Sequence, residues 1–296
     1  DAAASQVDAS TCSAAEVLAR RPALPEVGLD RLRALRATFA RAAALHQGGK
    51  NRQGDALARE ALGVAEDLGW GPAVAEAQLW IGLFQERLGE HDDAASYLES
   101  AYFAAARASA LEVATDAALE LALAVGHGMR RRDEGLRWIR HAELGLLALG
   151  GDGRTPRDVQ WLDTQGLIRL VAGEHRRSIE DLSAAIALAQ TVLGPEHPNL
   201  SVLLGNLAIA EGQVGELERA RDSAARGLAL AERALGPEHP VVADATSTLS
   251  TRTAALARSL ADPAAAAREY TQAIALMERT LTVRRRNLEP GDPSIA

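Results

Sequence analysis

Apolar residues recur along this chain at three- and four-residue steps in one segment after another, the spacing that presents one face of a helix to a core. The stretch VAEAQLWIGLFQERLG at 74–89 is typical. It closes on a glycine, which can adopt the left-handed conformation that ends a helix. The stretch that follows, DDAASYLESAYFAAARAS, carries small residues where two helices would cross closely. Together they predict a helix hairpin with an apolar side that it cannot bury alone.

The pattern repeats, and repeats govern the reading of everything else. A glycine, four residues, a small residue, three residues, an apolar residue, two residues, then Ala or Gly and an apolar residue occur as Gly89-Ala94-Leu98-Ala101-Tyr102. Further copies are Gly173-Ser178-Leu182-Ala185-Ile186 and Gly215-Ala220-Ala224-Gly227-Leu228. Gly49-Gly54-Ala58-Ala61-Leu62 is a looser copy, and the second half alone recurs as Gly135-Ile139-Ala142 and Ala266-Tyr270-Ala273-Ile274. Gly82 and Gly166 stand seven residues ahead of Gly89 and Gly173. The markers Gly54, Ala94, Gly135, Ser178, Ala220 and Ala266 are 40 to 46 residues apart. Six units therefore run from about residue 33 to 282, with 1–32 as a partly helical segment linking to an upstream domain and 283–296 as a tail.

The phrase Leu-Gly-Pro-Glu-His-Pro is written twice, at 193–198 and 235–240. It falls between the second helix of one unit and the first of the next. Gly194 and Gly236 would stop a helix, and Pro198 and Pro240 suit a first turn, where no amide donor is needed. His197 and His239 are then turn supports; a metal site would need further ligands, and none recurs at matching positions.

The spacing of small and large residues resembles the tetratricopeptide repeat, and the 42-residue step with its inter-repeat phrase resembles the kinesin-light-chain subtype. The first-helix Trp usual in that family is displaced here, Trp80 and Trp161 lying a residue or two away. The resemblance implies an all-α fold: a right-handed α-α superhelix of about six helix hairpins.

Composition narrows the partners. Forty acids against 32 bases leave a net charge of −8, which disfavours nucleic acid, since phosphate binding wants a dense basic face. Lys50 is the one lysine, and a single cysteine, Cys12, allows no internal disulfide. The longest apolar run, 117–125, is broken by Glu120 and falls short of the roughly 20 residues a membrane span requires. The opening DAAASQVDASTC has no basic region or apolar signal core and reads as a piece of something longer.

No enzyme motif is present. The sequence holds no phosphate-loop Gly-Lys-Ser/Thr, no His-Glu-x-x-His and no Gly-x-Ser-x-Gly, and none of Phe39, Phe84 or Phe103 is followed by the glycine of a kinase metal-binding triplet. GGDGRT at 150–155 follows a helix and reads as an inter-repeat loop. The basic runs MRRRDE (129–134) and VRRRN (283–287) read as a solvated turn and as a helix end whose positive charge offsets the dipole. Trp70, Trp138, Trp161, Tyr97, Tyr102 and Tyr270 sit at helical spacing among alanines and read as core, or as anchors if they line the inner face. No metal and no cofactor are expected.

Stacked hairpins of this kind place their first helices along a concave groove. In that register the groove receives Glu76, Leu79, Leu83, Glu86 and Arg87 from the second unit, Asp163, Leu167, Leu170 and Val171 from the fourth, and Val202, Asn206, Ile209 and Gln213 from the fifth. The lining mixes apolar and polar groups and lacks a Lys/Asn/Arg set for a C-terminal carboxylate. An extended or helical segment of another protein is the expected ligand. Cys12, the stretch Pro22 to Pro25 and the units from 33 onward also resemble the C-terminal region of myxobacterial-type serine/threonine protein kinases. That resemblance implies a non-catalytic docking or sensor region attached to a kinase, cytoplasmic, or extracytoplasmic if a membrane span precedes it. The alternative is a stand-alone peptide-sensing regulator whose solenoid changes pitch on binding.

Overall fold

The computed structural model describes residues 22–25, 28–150 and 152–287, so Cys12 and most of the segment before residue 33 lie outside the described residues. Among these residues there are twelve α-helices and no strand. They pair into six hairpins: α1 (Leu29–Gln47) with α2 (Asn51–Leu68), α3 (Gly71–Leu88) with α4 (His91–Arg107), and α5 (Leu111–Leu123) with α6 (Arg132–Ala148). Then come α7 (Pro156–Val171) with α8 (His175–Val192), α9 (Asn199–Gln213) with α10 (Leu217–Leu235), and α11 (Pro240–Ser259) with α12 (Pro263–Asn287). A π-helical turn at Ala124–Gly128 extends α5.

The repeated letters each have a packing duty. Gly89 and Gly173 end first helices with φ of 81° and 80°, a region that costs other L-residues strain. The small and apolar signature residues of the second helices, Ala94, Leu98 and Ala101, then Ser178, Leu182 and Ala185, are completely buried. The glycine seven positions earlier admits them. A Cβ on Gly82 would stand 2.5 Å from Leu98, and one on Gly166 would stand 2.9 Å from Leu182. Close crossing of the paired helices thus depends on a missing side chain facing a large one.

Between units the core is continuous. Leu79, Leu98, Ala117 and Leu121 join the second unit to the third. Val159, Leu182, Leu203 and Leu207 join the fourth to the fifth. Each hairpin's apolar side is therefore buried by its neighbour, as a quasi-one-dimensional array requires.

The repeated phrase is a linker with a built-in cap. Gly194 and Gly236 have φ of 94° and 82°. His197 Nδ1 accepts from the Asn199 amide and His239 Nδ1 from the Val241 amide, each at 3.2 Å, so each ring satisfies an amide at the start of the next helix. An accepting Nδ1 requires the neutral ring, and burial holds the His239 pKa below its usual 6.5. A depressed pKa means that the cap's contribution is intact above pH 6.5 and is lost as pH falls through the folded value. His239→Ala is therefore expected to cost about 1 kcal/mol at pH 7.5 and progressively less as pH is lowered, read from thermal unfolding over a pH series.

The basic runs are engaged. Arg132 bonds Glu174 across 42 residues at 2.6 Å, Arg284 pairs with Asp244 of the preceding helix, and Arg286 pairs with Glu238 in the linker before that helix.

Candidate functional site

The first helices of successive units pack directly on one another, whereas second helices stand apart. The crowded side is the inner side of the curve, so it is lined by α1, α3, α5, α7, α9 and α11.

Polar side chains on that side form rungs between units. Asp116 on α5 receives a two-point bond from Arg157 on α7, with Nε to Oδ1 at 2.6 Å and Nη2 to Oδ2 at 2.9 Å. One turn further along the same helices, Gln160 Nε2 donates to Glu120 Oε1 at 2.6 Å. On the next pair, Asn206 Nδ2 on α9 donates to Asp163 Oδ1 on α7 at 2.9 Å. The rungs are 40 to 43 residues long in sequence, one repeat each, so they are a property of the array rather than of any unit.

These carboxyls are poorly solvated. Burial lifts Glu120 from 4.5 to about 7; Arg87 and the Gln160 bond pull it down, Asp116 and Glu86 push it up, and burial prevails. Glu76 is likewise raised from 4.5 to about 7 by burial, with Arg36 opposing. Asp163 is raised from 3.8 to about 6, the Asn206 bond opposing. Charge on this floor is held by few partners and little water, the condition under which an arriving donor or cation is strongly felt.

The groove residues expected from sequence fall into three groups. Asp163 and Asn206 are joined in one rung, Glu76 faces a cavity, and Glu86 Oε2 accepts from His91 Nδ1 at 2.8 Å when the ring carries its proton there. Leu79 and Leu170, each 8% exposed, are packed in the core between units, with Leu83, Leu167 and Ile209 against the same clusters. Arg87, Val202 and Gln213 are exposed and Val171 is half-buried. Sequence reasoning missed Arg36, Asp116, Glu120, Arg157 and Gln160. A signal for two of them existed: counting six back from the close-approach glycines Gly82, Gly126 and Gly166 gives Glu76, Glu120 and Gln160.

At the mouth of the inner side lies a cavity of about 510 Å³. Its wall comes from α1, the starts of α3 and α5 and the end of α6, with Leu32, Trp70, Val113 and Leu149 as apolar lining and Arg36, Glu76 and Glu112 as charged groups. The Trp70 indole donates to the Ala23 carbonyl at 2.9 Å. The other aromatic groups are elsewhere. Tyr102, Phe103, Trp138 and His141 cluster on the second helices α4 and α6, with Tyr102 and Trp138 rings 5.1 Å apart. Tyr270 is 39% exposed on α12.

Among the described residues no three His, Cys, Asp or Glu side chains are grouped to hold a metal, and no helix is long and apolar enough to cross a membrane.

Residues 159–233 match the tetratricopeptide repeat family. No curated protein matches the chain. Among solved structures, BtubC (BKLC) from P. vanneervenii is similar over 87% of this chain and 94% of its own, at 16% identity and a TM-score of 0.55. A Podosopora anserina protein with nearly identical tetratricopeptide-like repeats, described by its likeness to the kinesin light chain, is similar over 73% of this chain and 96% of its own, at 18% identity and a TM-score of 0.52. The Rap conjugation gene regulator of plasmid pLS20, solved in complex with the Phr peptide, is similar over 86% of this chain and 76% of its own, at 13% identity and a TM-score of 0.61. At these identities the likeness concerns the fold: an α-solenoid of tetratricopeptide-type repeats, shared with kinesin-light-chain-type proteins.

Proposed function

We propose that this tetratricopeptide-type solenoid is a non-catalytic docking domain that binds an extended or helical segment of another protein along its inner groove. The observation that carries the reading is the run of rungs Asp116–Arg157, Glu120–Gln160 and Asp163–Asn206. Side-chain donors and acceptors held at fixed places on the rigid inner helices can meet the amides of a guest backbone, and half-buried Leu83, Leu167 and Ile209 offer apolar contact beside them. The Rap regulator, similar in fold, was solved with a peptide bound.

Capture of partners from a lysate by the full chain tests this. Leu83→Ala with Asn206→Ala is expected to weaken retention by more than its fall in melting temperature, measured on the same variant, accounts for. Retention lost only on changing the outer residues Phe103 and Leu144 would place the interface on the convex side.

The finer reading makes this domain the regulatory C-terminal region of a bacterial serine/threonine kinase, on the resemblance carried by Cys12, Pro22 to Pro25 and the repeat units. The sequence encoded upstream decides it: a kinase domain there supports the reading, and another domain removes it.

A second reading, a peptide-sensing regulator whose pitch changes on binding, is favoured by one contact. Lys50 Nζ in the first unit donates to the Asn287 carbonyl at the end of α12 at 2.8 Å. With its two ends this close, a small change in the angle between units opens or shuts that contact. On this reading a bound peptide changes the radius of gyration seen by small-angle scattering, and Lys50→Ala shifts the free protein in the same assay.

A further inference from the structure

The cavity at the mouth of the inner groove has the size of a ligand pocket, about 510 Å³. Its apolar wall is assembled from three units: Leu32 comes from the first, Trp70 and Pro72 from the start of the second, and Val113 and Leu149 from the third. No single hairpin makes it, so it exists only in the stacked array. The charged groups beside it have counterparts of their own, since Arg36 acts on Glu76, and Glu112 and Asp116 act on Arg157. Charge therefore does not choose the guest; shape and the Trp70 indole do.

The chain itself supplies an example of what fits. Pro22 and Leu24 stand on the rim, and the Trp70 indole N–H donates to the carbonyl of Ala23 between them at 2.9 Å. Proline fixes φ at about −65° at positions 22 and 25, and Leu24, which precedes a proline, is kept out of the helical region. The stretch Pro-Ala-Leu-Pro is therefore extended and presents a carbonyl to the indole. Aromatic-lined clefts take proline-rich segments because such a backbone is already set and loses little entropy on binding. Leu24 is nevertheless 58% exposed, so the stretch spans the mouth and leaves the space behind it open.

We propose that the cavity and the Trp70 indole form a receptor for an extended, proline-flanked apolar segment of a partner protein, whose place the chain's own Pro22–Pro25 stretch holds in the free state. The guest takes over the indole bond with one of its carbonyls and sets an apolar side chain between Leu32, Val113 and Leu149. The internal stretch lies close in sequence to α1, which begins at Leu29, so it competes at an effective concentration on the order of millimolar. It thereby sets a threshold that a weak or scarce segment does not cross. The inference goes beyond the groove reading and does not require it.

The test uses the full chain and a fluorescently labelled, end-blocked peptide, Ser-Pro-Ala-Leu-Pro-Ser, read by anisotropy. A chain carrying Pro22→Ser, Leu24→Ser and Pro25→Ser, in which the internal competitor is weakened, is expected to bind the peptide about tenfold more tightly than wild type, as follows when the stretch holds about nine-tenths of free mouths. Trp70→Phe in that chain keeps an aromatic ring and removes the donor. It is expected to weaken the peptide about fivefold while the helical circular dichroism signal holds. Replacing the peptide's Leu by Ser is expected to weaken it about tenfold. Equal affinity of the wild-type and triply substituted chains, binding indifferent to Trp70, or no binding by the triply substituted chain overturns the proposal. The groove reading stands or falls on Leu83 and Asn206, which this assay leaves untouched, so each can fail without the other.

Discussion

Replacing Glu120 by glutamine is expected to raise the stability of the chain by about 2 kcal/mol at pH 8 and by less than about 0.5 kcal/mol at pH 5. The carboxyl lies on the floor of the inner side, where burial lifts its pKa from 4.5 to about 7. Because the folded chain holds this proton more tightly than the unfolded chain, the group favours folding fully below pH 4.5. That contribution is withdrawn as pH rises from 4.5 to about 7, and above that it is gone. Each decade of proton affinity is worth about 1.4 kcal/mol, so the full shift is worth about 3.5 kcal/mol, and water in the open groove and the lost attraction to Arg87 reduce it to about 2. Glutamine has the shape of the protonated acid and can still meet Gln160 with its amide oxygen, so the variant behaves at every pH as wild type does in acid. Thermal unfolding of both proteins at pH 5 and pH 8 checks this. An equal gain at the two pH values would mean that Glu120 is not the titrating group. A carboxylate kept on the groove floor against stability suits a surface under demand for binding.

Gly135→Ala is expected to destabilise the chain by about 3 kcal/mol, at the upper end for overpacking, whereas the same change at Gly63 stabilises it by about 1 kcal/mol. Both are glycines inside helices. A Cβ on Gly135 would stand 2.5 Å from the Cα of Gly126, 3.0 Å from its amide nitrogen and 3.1 Å from the carbonyl oxygen of Ala122. All three are backbone atoms of α5 and its π-helical turn, and none can rotate away as a side chain would. At Gly63 nothing stands within 4 Å, so the methyl only removes freedom from the unfolded chain. The first change also pushes the end of α5 away from α6, toward Ile168 of α7, which lies 2.6 Å from a Cβ built on Gly126. It should therefore disturb the Glu120–Gln160 rung and reduce partner capture beyond the loss of stability. Denaturant unfolding of the two variants beside wild type tests the contrast, and a Gly135→Ala midpoint equal to that of Gly63→Ala would contradict it.

The hairpins were readable because each signature residue answers a local demand. A helix-ending glycine, a small residue at a crossing and a large one opposite a glycine leave the same letters at each turn of the repeat. The third unit was only half readable, and its geometry explains why. Its close-approach glycine, Gly126, stands nine residues before Gly135, where Gly82 and Gly166 stand twelve before Ala94 and Ser178. The π-helical turn and a short connection shift the count. The two histidines of the repeated phrase were legible as turn supports because an imidazole two residues before an amide needs no distant partner.

The rungs were not legible in this way. Asp116, Glu120, Arg157 and Gln160 read in sequence as ordinary polar positions on amphipathic helices, where a solvated face is the default. Leu79 and Leu170, placed on the groove by register, sit instead between units, because the turn of one hairpin on the next rotates part of each first helix out of view.

By itself the sequence determined the repeat, its helices and the linkers between them, since periodicity, glycine conformation and capping act over a few residues. Only the tertiary structure decided which polar groups face one another across repeats, how little water they keep and where three units close around a cavity. Those properties depend on the angle at which hairpins stack, which arises from the packing of whole faces and leaves no mark on any single stretch of chain.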